Sequence, residues 1–338
     1  MPDAPDFNDV PAVVAIPVRD EVERIADCLL ALEGQDGPAP GVVLLVNNTT
    51  DATVSHAAEL IPTLRCPVHV VEHTFSPARA NAGNARRLAM DLADELAPTD
   101  VPLLTTDADG RVAPGWLAAN LRHLERGLDA VFGRAVIDPV EAARIPPALH
   151  EADARECAYA ALLDEIEALI DPDPDDPWPR HTERSGASIA VSRQAFRAAD
   201  GVPAVPLGED RAFHQALRRI DARIVHARDV EVVVSGRILG RADGGMADTI
   251  RRRLAVADTM LDDALEPASA RVRRVQLRRA ARRAFCASAA ATEVFGAAWS
   301  VLDSTIPRQR VAVADLGAQM AVAAAIRDRL LATQTVSA

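Results

Sequence analysis

Residues 103–116 read LLTTDADGRVAPGW, an apolar run that stops at two threonines and is followed by Asp107 and Asp109 with one alanine between them. In extended backbone, residues two apart point to the same side, so both carboxylates would meet there. Two carboxylates together make a hard-oxygen site suited to Mg²⁺ or Mn²⁺ bridging phosphates. The metal's chemical use would be to stabilise negative charge building on a departing diphosphate. The competing reading is a turn, since Asp is common in turns and Gly110 fits one. The position just past a buried strand raises the first reading.

Other residues with chemical potential recur along the chain. PLGEDRAF, 206–213, sets Glu209 and Asp210 ahead of a helix. Such a pair can include a general base that deprotonates an incoming hydroxyl, or it can stabilise the helix's first turn. In IPVRDEVERI, 16–25, Pro17 rigidifies a strand exit, Arg19 can meet a phosphate, and Glu21 can accept from a ribose or base. Asp20 can equally cap the next helix, with Glu23 favouring its first turn. VNNTTDAT, 46–53, carries Asn47 and Asn48, whose amides read a nucleobase edge or close a turn, and then Asp51. NAGNARRLAMDLA, 81–93, has Gly83 at a helix start and Arg86 in its first turns. That is an anion site or an ordinary ion-paired arginine.

The elements that must position these groups follow from periodicity. AVVAI (12–16), GVVLLVNN, CPVHVVEH and VPLLTT are short apolar runs typical of strands covered on both faces. Between them lie helical patterns: Val22, Ile25, Leu29 and Leu32 ending at Gly34, then TVSHAAELI, then NARRLAMDLADEL. Strands alternating with helices predict a mainly parallel sheet flanked by helices, built of right-handed crossovers. Ligands of such sheets bind beyond the carboxyl ends of the strands, where PVRDE, NNTTD and DAD all fall. Past residue 148 a long helix is expected, then the loop DPDPDDPWPR with mostly solvated acids. SGASIAVS and RIVHARDVEVVVSGR read as strands, RQAFRAA and DRAFHQALRRI as helices. From 246 the pattern is helical, and the arginines of 271–283 read as a solvated or ion-paired face. The expected division is a catalytic domain over 1–245 and an α-helical C-terminal region over 246–338.

Composition bounds the function. The 338 residues are 49% hydrophobic and 25% charged, with a formal net charge of −12. A chain this acidic is not built for nonspecific nucleic-acid binding, which needs phosphate neutralisation by Lys and Arg. No basic region with an apolar core opens the chain, and no run approaches a membrane span, so neither a signal peptide nor a transmembrane helix is expected. Cys28, Cys66, Cys157 and Cys286 lack metal-type spacing and read as reduced, mostly buried thiols of a cytoplasmic protein.

Together these motifs resemble the family 2 glycosyltransferases with the GT-A nucleotide-sugar fold, over about residues 11–245. IPVRDE is similar to the family's I-P-x-x-N-E, with Asp20 where Asn is usual. VNNTTDAT resembles V-D-D-G-S-T-D-x-T, one residue shorter and with Asn47 and Asn48 for the aspartates. TTDADGRVAPGWL matches D-x-D with its tryptophan-leucine helix start. SGASIAVSRQAFRAADGVP, GED and VEVVVSGRILGR are similar to the family's later segments. The resemblance implies a nucleotide-diphospho-sugar donor, an acceptor hydroxyl of unknown identity, a divalent metal (Mn²⁺ or Mg²⁺) and inversion at the anomeric carbon. It implies that Asp107 contacts the donor and Asp109, with Asp107, ligates the metal. Asp210 would be the base, Glu209 its support or an acceptor-binding residue, and Gly186 and Ala187 acceptor-side residues. Pro17, Arg19, Glu21, Asn48 and Asp51 would line the nucleotide pocket; Arg86 and Arg237 are further candidate donor-binding residues. Ser235 and Arg237 stand in the stretch where a family histidine often completes the metal site; Arg237 or Arg241 can offset diphosphate charge there, or His226 can be recruited. His181 is a further candidate pocket residue. The C-terminal helices are a candidate homodimer surface. A nucleotidyltransferase of similar fold ranks second, because PVRDEVE lacks the glycine-rich loop it needs. A nicotinamide dehydrogenase fails for want of GxGxxG. A silent nucleotide-binding or scaffold module is the third reading.

Overall fold

The computed structural model describes residues 5–238, 240, 245–288 and 294–337, with side chains to 334; Arg241 lies outside them. In chain order, β1 (Val13–Val18), α1 (Ile25–Glu33), β2 (Gly41–Asn47), α2 (Thr53–Leu60) and β3 (Val68–His73) open the fold. They are followed by α3 (Ala82–Leu96), β4 (Leu103–Thr105), β5 (Arg111–Val112), α4 (Trp116–Glu125), β6 (Ala130–Ile137) and α5 (Pro139–Ala142). Then come α6 (Pro147–Ile170), β7 (Ile189–Val191), α7 (Arg193–Ala198), α8 (Glu209–Arg219) and β8 (Ile224–Val234). The chain ends in α9 (Met246–Ala255), α10 (Ala268–Ala287), α11 (Phe295–Ser304) and α12 (Leu316–Ser337).

The eight strands form one sheet in the order β3-β2-β1-β4-β7-β6-β8-β5. β1 pairs in parallel with β2 and β4, and β2 with β3. β7 runs antiparallel between β4 and β6, while β6 and β8 are parallel. The sheet is therefore mixed, with its parallel half where the alternating sequence pattern predicts it. β1 and β2 bury nearly every residue, because helices cover both faces. α1 buries Ile25, Cys28, Leu29 and Leu32, one stripe at helical spacing. β2 and β3 lie on one side of β1 and β4 on the other, which puts a topological switch point beside β1. Pro17 is tolerated in β1 because β4 pairs only as far as Ala15.

β6 is not visible as a strand in the sequence reading. Gly133 interrupts its apolar run, and the reason is steric: a Cβ there would lie 2.3 Å from Ser188 Oγ. That hydroxyl also accepts from the buried Trp116 indole at 2.8 Å, which anchors the start of α4.

The chain forms two compact units. One comprises 1–142, 183–218 and 222–249; the other comprises 143–182, 219–221 and 250–338. A cut at 245 therefore does not follow the packing. α6 buries Tyr159, Leu163, Ile166 and Ile170 in one core with Leu261, Leu265, Val275 and Leu316. Its apolar stripe is satisfied by the C-terminal helices. Arg271, Arg274, Arg278 and Arg282 of the basic run are ion-paired to Glu266, Glu167, Asp171 and Asp303. Asp171 and Asp176 of the acidic loop are buried and paired with Arg282 and Arg180, unlike the solvated acids expected there. Cys28 and Cys66 are buried, while Cys157 and Cys286 are exposed, so burial holds for only half of the thiols. No helix among the described residues is long and apolar enough to cross a membrane.

Candidate active site

At the carboxyl end of β4, Asp107 and Asp109 do not continue an extended strand. The Gly110 N–H donates to the Asp107 carbonyl at 2.9 Å, closing a turn. The turn sends the two carboxylates to different arginines. Asp107 meets Arg86 at 2.6 Å, and Asp109 meets Arg237 at 3.1 Å.

Arg86, in the first turns of α3, is the organising side chain. Asn81 caps that helix by accepting from the Asn84 N–H at 3.0 Å. The buried guanidinium donates to Asp107 at 2.6 Å, Glu209 at 3.0 Å, Thr105 Oγ1 at 3.0 Å and the Gly186 carbonyl at 2.9 Å. Two glycines permit this. A Cβ at Gly186 would fall 2.6 Å from the guanidinium, and one at Gly83 would fall 1.9 Å from the Val205 carbonyl. Gly83 thus lets the chain before α8 close onto α3, bringing Glu209 to Arg86. Burial opposes the Arg86 charge, but Asp107 and Glu209 more than offset it and hold its pKa up.

Asp210 follows Glu209 in the first turn of α8. Its carboxylate accepts from the Gly186 N–H at 3.1 Å and the Arg211 N–H at 2.7 Å. Burial and then the neighbouring Glu209 charge raise its pKa, against those hydrogen bonds and Arg86. Gly186 therefore serves through its backbone: its N–H holds Asp210 and its carbonyl holds Arg86. Ala187 is packed in the core.

On the nucleotide side the expected residues separate by role. Arg19 is partly exposed just past β1, near Asp20 at 3.9 Å. Glu21 is buried, and both its oxygens accept from Arg237. Asn48 spends both ends of its amide on Phe75, donating to the carbonyl at 2.9 Å and accepting from the N–H at 3.1 Å. Asp51 accepts from the Thr53 and Val22 N–H groups at 2.9 and 3.3 Å. In this structure Asn48 and Asp51 hold the loops that follow β2. Asp20 accepts from the Thr50 N–H at 2.7 Å, tying the ends of β1 and β2 together, and does not cap α1. Asp20 and Asn48 both adopt left-handed backbone, φ 52° and 49°, a conformation that Asp and Asn tolerate better than most residues.

Two participants escaped the sequence reading. Glu141, in α5, accepts from Arg24 at 2.6 Å, Ser235 Oγ at 2.9 Å and the Gly236 N–H at 2.6 Å. It fixes the backbone that carries Arg237. No local motif marks Glu141 or Arg24, since their partners lie about a hundred residues away. His226 packs against Phe132 and His214, at 5.7 and 5.4 Å between ring centres, and serves that cluster. His181 falls in the helical unit.

Each carboxylate of the expected metal pair faces an arginine. Among the described residues, no three His, Cys, Asp or Glu side chains converge as a metal's ligand set would. Both carboxylates are engaged by guanidinium groups, so a divalent ion would have to compete with Arg86 or Arg237 for them. Asp109 is raised by burial and then by the Asp107 charge, against Arg237. A cavity of about 210 Å³ lies along the start of α3, lined by His73, Phe75, Arg79, Asn84, Arg87 and Asp91. The larger cavity, about 540 Å³, lies in the helical unit and has no carboxylate in its lining.

Residues 13–176 match the model of glycosyl transferase family 2. Over those residues the chain is similar to the family 2 glycosyltransferases. The match ends before Gly186, Glu209 and Asp210, which join the same site through Arg86. Among solved structures, S. aureus TarS 1-349 in complex with UDP-GlcNAc is 16% identical, covering 80% of this chain and 72% of that one with a TM-score of 0.51. Its likeness extends to the fold, the GT-A arrangement. The mannosyltransferase PcManGT from Pyrobaculum calidifontis, in complex with GDP-Man and Mn²⁺, is 20% identical, covering 98% of this chain and 88% of that one with a TM-score of 0.49. No curated protein sequence matches the chain.

Proposed function

We propose that the chain transfers a sugar from a nucleotide-diphospho-sugar to an acceptor hydroxyl, with inversion at the anomeric carbon. One observation carries the reading: Arg86 ties Asp107 at the end of β4 to Glu209 at the start of α8. Donor-side and acceptor-side acids are thereby held in one site. The two acids of α8 then divide their work. Glu209 is buried and committed to Arg86, whereas Asp210 is half-buried and keeps free lone pairs. Asp210 is the base. It takes the acceptor's proton as that oxygen bonds to C1, and the C1–O bond breaks with its electron pair leaving on the nucleoside diphosphate. The raised pKa of Asp210 makes it a stronger base than an ordinary aspartate.

A panel of nucleoside-diphospho-sugars differing in base and sugar, followed by release of nucleoside diphosphate, tests the assignment. Asp210→Asn should lower transfer by ~10²–10⁴-fold while nucleotide binding persists. The base must be ionised, so activity should fall as pH drops through a pKa above the free-aspartate value of about 3.9. That acidic limb should vanish in Asp210→Asn. Wild-type turnover by this variant sinks the assignment.

A further inference from the structure

We propose that Arg237 supplies the fixed positive charge that meets the donor diphosphate beside Asp109, so that donor binding needs no divalent metal. The proposal rests on the nucleotide-diphospho-sugar reading and adds how that donor's charge is met. Arg237 forks onto both oxygens of Glu21 and lies 3.1 Å from Asp109. A metal ligated by Asp109 would share that carboxylate with the guanidinium, setting two cations against each other. Here the guanidinium already holds the place.

The surrounding chain is built to keep it there. The Arg237 N–H donates to Ser235 Oγ at 3.1 Å, and Ser235 Oγ donates to Glu141 at 2.9 Å. The Gly236 N–H donates to the same carboxylate, and a Cβ at Gly236 would lie 2.7 Å from Ile137. Arg24 closes the far side of Glu141 at 2.6 Å. These contacts fix the backbone of 235–237 from β6, α5 and the residue just before α1 together.

The side chain is nevertheless not closed off. It is 19% exposed, and its Nε–H has no acceptor among the described residues. A guanidinium can therefore keep its carboxylate fork and still donate to a phosphate oxygen. Charge demands it: Glu21, Asp107 and Asp109 face Arg86 and Arg237, and Arg86 is buried and fully engaged. An incoming diphosphate meets net negative charge there, and the Nε–H of Arg237 is the donor left to face it. Because arginine stays protonated across the working pH range, this charge is permanent.

Two titrations decide. In the first, UDP, GDP and dTDP are titrated into the intact chain in EDTA and in Mn²⁺. One of them should bind with the same Kd in both buffers, and Arg237→Ala should weaken it roughly tenfold or more, the loss expected for a charged hydrogen bond. Arg237→Lys should fall between the two. In the second, free Mn²⁺ is followed by electron paramagnetic resonance. Wild type should leave it free, whereas Arg237→Ala, which uncovers Glu21 and Asp109, should take it up. The wild-type arms decide even if Arg237→Ala fails to fold. Binding that EDTA abolishes, stoichiometric Mn²⁺ uptake by the wild type, or unweakened binding in Arg237→Ala overturns the proposal. If none of the three nucleotides binds in either buffer, the donor reading itself falls, and this proposal with it.

Discussion

Arg86→Lys keeps a positive charge and loses the geometry. A lysine cannot reach Asp107, Glu209, Thr105 and Gly186 at once, because it lacks the planar fork. Glu209 would be left as a buried carboxylate without its partner. Breaking a buried pair costs about 3–5 kcal/mol, so denaturant unfolding should show a loss of that order. Transfer should fall with it although Asp210 is intact, because Gly186, which holds Asp210, is itself held by Arg86. Unchanged stability in Arg86→Lys would show that the four contacts are dispensable. At this scale the sequence marked Arg86, Asp107, Glu209 and Asp210 because each stands at a strand end or a helix start. It did not reveal which would meet. Arg86 and Glu209 are 123 positions apart, and only the packed fold joins them. Arg237 was named from its motif, but its fork onto Glu21 spans 216 positions and has no local signature.

The same logic governs the elements. α3 matters less for its length than for the bare backbone at Gly83, where the Val205 carbonyl sits too close for any side chain. In an exposed helix, Gly→Ala would stabilise by about 1 kcal/mol. Here Gly83→Ala should reverse the sign. The 205 loop must retreat, α8 moves with it, and Glu209 leaves Arg86. A lower melting temperature together with reduced transfer is expected; a higher one with full activity would mean that the loop yields freely. Parallel strands β1, β2 and β3 were legible because buried apolar runs alternate with amphipathic helices. β6 was not, because Gly133 and Arg134 break its apolar run, and Gly133 is required by Ser188 across the sheet. Antiparallel β7 is short, and its direction follows from neighbours far away in sequence.

For the whole molecule, the packing argues against a catalytic fragment ending at 245, where the sequence texture changes. Residues 143–182 precede that point yet belong to the compact unit completed by 250–338. Ending the chain at 245 would strip α6 of the helices that cover Tyr159, Leu163 and Ile166, all three fully buried. The Tyr159 hydroxyl would lose the Glu266 carbonyl to which it donates at 2.8 Å. Glu167 and Asp171 would lose Arg271, Arg278 and Arg282. An exposed apolar stripe of this kind drives association. A chain of residues 1–245 should therefore bind a hydrophobic dye and elute as aggregates in size-exclusion chromatography. Replacing Tyr159, Leu163 and Ile166 with Gln, Glu and Lys in that shortened chain should restore a monomeric peak, because α6 would then present a polar face. If the unaltered 1–245 chain elutes as a monomer and melts cooperatively, α6 does not need the C-terminal helices, and the boundary drawn from sequence texture is the physical one.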